Sequence, residues 1–158
     1  MAGRKPVTVL QSQFLEQQPQ LSPDGRWLAY ASNESGRFEV YVQAFSIDSS
    51  KPSSDRFTIS NAGGADPRWR GDGKELFYLS ADGKLMSVEI QTADGSRFAA
   101  APPRPLFEIP PLASQLRAAS FRYAVTADGK RFLVLMEPKD TPQSPLTVVV
   151  NWQAAIPK

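Results

Sequence analysis

Three segments of similar sequence decide the fold of this chain: LSPDGRWLAYAS at 21–32, RWRGDGKELFYLS at 68–80 and YAVTADGKRFLVLM at 123–136. In each segment, Asp-Gly is followed by Arg or Lys and then by a run of mostly apolar residues. The Asp-Gly pairs are 48 and then 56 residues apart, which is close to the period of a β-propeller blade. Gly accepts a positive φ without a Cβ clash, so each pair predicts a tight hairpin. We therefore expect positive φ at Gly25, Gly73 and Gly129.

Short runs of β-branched and aromatic residues on both sides of these turns predict an all-β chain in one domain over 1–158. Second turns at 34–37 and 82–84 give each of the first two repeats four strands. We predict a propeller fragment of three four-stranded antiparallel blades, of which the third has three strands of its own. The blades are predicted at 18–60, 66–109 and 121–152, after a lone N-terminal closing strand at 6–10. The twelve strands are expected at 6–10, 18–22, 27–32, 39–45, 56–60, 66–70, 75–80, 84–90, 105–109, 121–126, 131–137 and 146–152.

The composition excludes several classes of function. The chain has no His and no Cys, which rules out a Ser-His-Asp triad, a thiol nucleophile, a disulfide and a standard zinc site within it. Acid–base chemistry would depend on Asp, Glu, Lys or Tyr. The net charge is +2, from 18 Lys+Arg against 16 Asp+Glu, so we expect no nucleic-acid partner. No run of 18 apolar residues occurs, so we expect no membrane insertion.

These segments also carry a family resemblance. LSPDGRWLAYASNESGRFEVYVQAF, GGADPRWRGDGKELFYLSADGKLMSVEI, YAVTADGKRFLVLM and LTVVVNW resemble the TolB-like propeller repeats at the C-terminal end of many bacterial membrane-bound serine/threonine kinases. The resemblance implies a propeller, usually six-bladed, that senses or binds proteins on the extracytoplasmic face of the membrane. This chain has about half of those blades, no kinase domain and no membrane helix. A chain made alone is expected in the cytoplasm, and a chain that is part of such a membrane-bound parent is expected on the extracytoplasmic face.

The innermost strand of each blade lines the channel of a propeller. Here those strands contain QPQLS at 18–22, DPRWR at 66–70 and FRYAV at 121–125. Side chains alternate along a strand, so only some of them face the channel. The candidate binding residues are Glu16, Gln18, Gln20, Asp66, Arg68 and Arg122.

Three functions fit these residues. The first is a non-enzymatic module that binds a protein, peptide or small ligand at the channel face without a cofactor. The second is a weak metal-dependent hydrolase in which Glu16 and Asp66 hold a divalent cation such as Mg²⁺, Ca²⁺ or Mn²⁺. In that alternative, Arg68 or Arg122 would stabilise anionic charge. The third is a structural fragment without a selected activity.

Three blades cannot close a ring of ordinary blade geometry, and an open arc leaves blade faces and strand edges exposed. A two-fold axis along the channel would close two copies into one six-bladed ring. In that ring the strand at 6–10 would complete the partner's third blade beside 146–152. We therefore predict an obligate homodimer with an exchanged N-terminal strand.

Overall fold

The computed structural model describes residues 6, 8–46, 55–93, 97–110, 121–136 and 147–149. These residues form three antiparallel sheets and no helix, which confirms the predicted all-β fold class. None of them forms a helix that could span a lipid bilayer. The strands are β1 Glu16–Leu21, β2 Trp27–Ser32, β3 Glu39–Ala44, β4 Arg56–Thr58, β5 Gly64–Trp69, β6 Glu75–Ser80, β7 Lys84–Ala93, β8 Arg97–Ala100, β9 Arg104–Glu108, β10 Tyr123–Val125, β11 Phe132–Met136 and β12 Thr147–Val149.

The repeated Asp-Gly turns form as expected at the glycines. Gly25, Gly73 and Gly129 have φ values of 70°, 73° and 71°, which confirms the predicted positive φ. The turn has four residues: the carbonyl of Ser22 accepts the N–H of Gly25 at 2.8 Å. The preceding Asp accepts the N–H of the basic residue that follows Gly, with distances of 3.1, 3.0 and 3.0 Å in the three turns. The Asp side chain therefore fixes the turn, and the Gly allows it.

Blade one (β1–β4) and blade two (β5–β9) have the predicted strand order, with one addition. Blade one is ordered β1-β2-β3-β4. In blade two both β8 and β9 pair with β7, and the N–H of Ala101 between them donates to the Glu89 carbonyl at 2.9 Å. The sequence predicts one outer strand in blade two, at 105–109, and the structure has two, β8 and β9. They are separated at Pro102 and Pro103, because proline has no N–H for the ladder.

Blade three (β10–β12) has three strands in the order β10-β11-β12, as the sequence predicts. The expected strand at 6–10 is not formed within a single chain: residues 8–10 are not in a strand. Instead Leu10 packs against the apolar face of blade one that carries Leu28 and Tyr30. A lone strand forms only where it can pair with the edge of a sheet. In the single chain, Leu10 packs on a sheet face instead. The exchange of this segment with a partner stays a prediction.

The core lies between the blades. One apolar cluster joins blades one and two, a second joins blades two and three, and a third lies on the other face of blade one. The first contains Trp27, Ala29, Val40 and Val42 with Leu76, Tyr78, Val88 and Ile90. The second contains Phe77, Leu79 and Leu85 with Tyr123 and Phe132, and the third contains Leu28, Tyr30 and Tyr41.

Candidate functional site

The inner strands of blades one and two contain the same irregularity. The β1–β2 register shifts between Gln17 and Gln20, and the β5–β6 register shifts between Ala65 and Arg68. Inside each shift one residue has a left-handed backbone with φ of 56°: Gln18 and Asp66. The next residue in each case is proline, which disfavours an ordinary helical conformation in the residue before it. These bulges re-aim the side chains of the inner strands.

The two bulge residues bind each other across the contact between blades one and two. The backbone N–H of Asp66 donates to Gln18 Oε1 at 3.0 Å, and Gln18 Nε2 donates to Asp66 Oδ1. A left-handed non-glycine residue costs about 1 kcal/mol or more, so it persists only where its surroundings fix it. This reciprocal pair of hydrogen bonds is what fixes both bulges.

Asp66 supplies the negative charge of a cluster that it forms with Gln18, Arg68, Arg122 and Tyr123. It is only 2% exposed, and burial raises the pKa of its carboxyl group above the usual 3.8. Other contacts offset part of this rise and lower the pKa of Asp66. They are a hydrogen bond from the backbone N–H of Arg122, the charges of Arg122 and Arg68, and a hydrogen bond from the Gln18 amide. The carbonyl of Asp66 accepts the Tyr123 hydroxyl at 2.9 Å. Burial also raises the pKa of Tyr123 well above 10, so this phenol remains a hydrogen-bond donor at neutral pH.

Two arginines surround the Asp66 carboxylate. The guanidinium carbon of Arg68 lies 3.5 Å from the centre of the Phe121 ring, which is a cation–π contact. Its Nε atom is buried and has no hydrogen-bond partner among the described residues. Arg122 donates from Nη2 to the Pro110 carbonyl at 2.6 Å. With one carboxylate and two guanidinium groups, the cluster has an excess of positive charge.

The structure brings together four of the six candidate residues: Gln18, Asp66, Arg68 and Arg122. The other two, Glu16 and Gln20, line a cleft of about 660 Å³ on the Leu28–Tyr30 face of blade one. Glu16 accepts a hydrogen bond from Ser12 at 2.5 Å there. The part of the chain that the structure describes contains no group of three or more acidic side chains placed to hold a metal ion.

Sequence reasoning missed two residues of the cluster, Phe121 and Tyr123. A signal for Tyr123 was present in the repeat itself. Five residues before each Asp of the Asp-Gly pair lie Pro19, Pro67 and Tyr123, so the third repeat replaces a proline with a hydrogen-bonding aromatic residue.

Comparison with known proteins agrees with this architecture. Residues 13–94, just over half of the chain, match the family described as the prolyl oligopeptidase N-terminal beta-propeller domain. The chain belongs to this family. The predicted propeller fold is thereby confirmed, while the kinase context implied by the resemblance stays a prediction.

Two solved structures are also similar to this propeller chain. Oligogalacturonate lyase from Vibrio parahaemolyticus matches with a TM-score of 0.49 and 12% identity, over 78% of this chain and 30% of that one. TolB from Acinetobacter baumannii matches with a TM-score of 0.35 and 19% identity, over 92% of this chain and 43% of that one. The chain therefore spans less than half the length of either protein. No curated protein matches it.

Proposed function

We propose that this member of the propeller family is a non-enzymatic module that binds an anionic group of a protein, peptide or small ligand at its channel face. Arg68 is the anchoring residue. The observation that carries the proposal is the Arg68 side chain, held over Phe121 with a buried Nε that has no hydrogen-bond partner among the described residues. A guanidinium group fixed on one face by an aromatic ring keeps its in-plane N–H donors for a carboxylate or phosphate.

The neighbouring Asp66 carboxylate does not form a direct ion pair with the Arg68 guanidinium group. Asp66 accepts hydrogen bonds from Gln18 and from the backbone of Arg122. Ion pairs between described residues involve other cationic side chains: Arg26, Arg37, Arg56, Arg70 and Lys84. Arg68 therefore has no carboxylate in direct contact among the described ion pairs, and an anionic ligand would complete its coordination.

The proposed assembly is a homodimeric ring in which each copy contributes one such cluster. Two anion sites would then face each other across the two-fold axis. The binding step itself needs only the cluster of one copy, so it is testable separately from the assembly.

A short polyglutamate peptide is the probe for this site. Titration calorimetry at low ionic strength measures its dissociation constant, and the Arg68 Nε–H resonance reports whether it contacts that side chain. Arg68→Gln should weaken binding about tenfold or more, since a charged hydrogen bond contributes about 1.5–3 kcal/mol.

Arg104→Gln is the matched control, because it removes the same charge from an exposed residue of β9, away from the inner strands. It should change the affinity by less than about twofold, because exposed charges are screened. Equal losses in the two variants would mean that only net charge attracts the peptide. If the wild type shows no saturable binding, our proposal is refuted and the third function, a structural fragment without a selected activity, is favoured.

No specific observation favours the metal-dependent hydrolase alternative. The oxygens of Asp66 are used by hydrogen-bond donors, and Glu16 lines the cleft on the other face of blade one. A divalent cation held by Glu16 and Asp66 stays a prediction. Hydrolysis that is lost on chelation would support it.

A further inference from the structure

One face of blade one carries the same residue types that contact a neighbouring blade elsewhere in this chain. Leu28 and Tyr30 occupy the same repeat positions as Leu76 and Tyr78, 48 residues later. In blade two, Leu76 and Tyr78 are 0% and 2% exposed because they pack against blade one. In blade one the equivalent pair has no blade against it among the described residues. Leu28 and Tyr30 are 7% and 2% exposed there because Leu10 and Phe45 pack against them instead.

The cover that the N-terminal segment provides is incomplete. A cleft of about 660 Å³ remains on this face, lined by Val9 and Leu10 from the segment and by Leu28, Tyr30 and Phe45 from the blade. This cleft is open to solvent and mostly apolar residues line it, so it leaves room for a larger partner to pack against this face.

Blade three has the complementary face. Leu133 is the repeat equivalent of Ala29 and Phe77, which are 0% and 1% exposed under the following blade. Leu133 is 45% exposed, because no following blade packs against it in the described part of the chain. An apolar residue whose two repeat equivalents are fully buried marks a surface that a partner covers.

We infer that the occupant of both faces is a second copy of this chain. Blade three of one copy packs its Leu133 face onto the Leu28–Tyr30 face of blade one in the other copy, displacing Leu10. The two faces repeat a contact that this chain already makes twice, between blades one and two and between blades two and three. A two-fold axis then satisfies both faces of both copies at once. This inference assigns surfaces to the assembly proposed above and does not depend on anion binding at Arg68.

The first test is the mass of the full chain in solution, measured by light scattering across a range of concentrations. A 17.4 kDa chain should give a dimer of about twice that mass. Leu133→Asp should raise the dissociation constant of the dimer about 100-fold or more, because it places a charge against an apolar face.

Leu106→Asp in β9 is the matched control, since Leu106 is 43% exposed and lies outside both faces. It should leave the dimer intact. A monomeric wild type at micromolar concentration overturns the inference, and so does a Leu133→Asp variant that dimerises as well as the Leu106→Asp control.

A second measurement identifies the faces directly. The chain has no native Cys, so single Cys variants can be mixed without background. A Leu28→Cys chain mixed with a Leu133→Cys chain should be joined by a short bis-maleimide. A Leu28→Cys chain mixed with a Leu106→Cys chain should not. The reverse pattern would show that a different surface joins the copies, even if the mass is that of a dimer.

Discussion

Replacing Gln18 with Ala removes both hydrogen bonds that link the bulges of blades one and two. The first is the bond from the Asp66 N–H at 3.0 Å, and its net contribution is about 1 kcal/mol. The second is the bond from Gln18 Nε2 to the Asp66 carboxylate, which is charge-assisted and contributes about 1.5–3 kcal/mol. Asp66 is buried, so water cannot replace either partner. We expect the free energy of unfolding to fall by about 2–4 kcal/mol.

Gln20→Ala is the matched control, because Gln20 lies on the same strand and its side-chain amide, among the described residues, donates to the neighbouring Pro19 carbonyl and not across the blades. It should cost less than about 0.5 kcal/mol. Gln18→Gly separates strain from bonding: glycine adopts the φ of 56° without penalty, so it should be about 1 kcal/mol less destabilising than Ala. Equilibrium unfolding in urea, followed by tryptophan fluorescence, measures all three variants. Equal midpoints for Gln18→Ala and Gln20→Ala would refute the role that we assign to the link.

Three other predictions follow from the same contacts. Burial raises the pKa of Asp66 above 3.8, so the folded state keeps its proton to higher pH than the unfolded chain does. The stabilisation from this group is fully present below pH 3.8 and is lost as pH rises through the pKa of the folded state. When urea midpoints are measured across a pH series, the wild type should show this decrease and Asp66→Asn should not. Gly73→Val should cost about 1–3 kcal/mol through backbone strain, since the nearest atom to an added Cβ is 3.6 Å away and φ is +73°. An unchanged thermal midpoint for this variant would argue against strain at the turn. Deleting residues 1–11 should abolish the dimer if the segment at 6–10 is exchanged between copies. A larger dimer fraction after the deletion would show instead that the segment only covers its own blade.

The turns and blades could be predicted because their signals are local. An Asp-Gly pair determines its own φ values and hydrogen bonds, and three copies in register place the strands around it. Strand β8 was missed because its pairing with the end of β7 depends on a distant contact. There Phe98 packs against Trp27 of blade one, with 4.9 Å between the ring centroids. The strand at 6–10 was predicted to pair with the blade of a partner, so it stays a prediction that a single chain does not test.

The inner strands were found correctly, but not the direction of every side chain on them. Simple alternation puts Glu16, Gln18 and Gln20 on one side of β1. The bulge adds a residue within that run and breaks the alternation, so Gln18 reaches Asp66 while Glu16 and Gln20 line the cleft. A left-handed Gln or Asp before proline has no strong sequence signature. The neighbouring blade stabilises it, and that blade is distant in the sequence.

The link between bulges also has a direction. Gln18 accepts the backbone N–H of Asp66 in the next blade, and Asp66 accepts the backbone N–H of Arg122 in the blade after that. In both steps a side chain of one blade accepts a main-chain N–H of the next blade, and this bond places no demand on the identity of the residue that donates it. Only the first step adds a bond between side chains, from Gln18 to the Asp66 carboxylate. A blade carrying an acceptor at this position could therefore keep its main-chain bond to a duplicated or exchanged neighbour without a compensating change in that neighbour. Arg122 has donors but no side-chain acceptor, so the series of acceptors stops there, and one substitution at that position would be enough to extend it to a further blade.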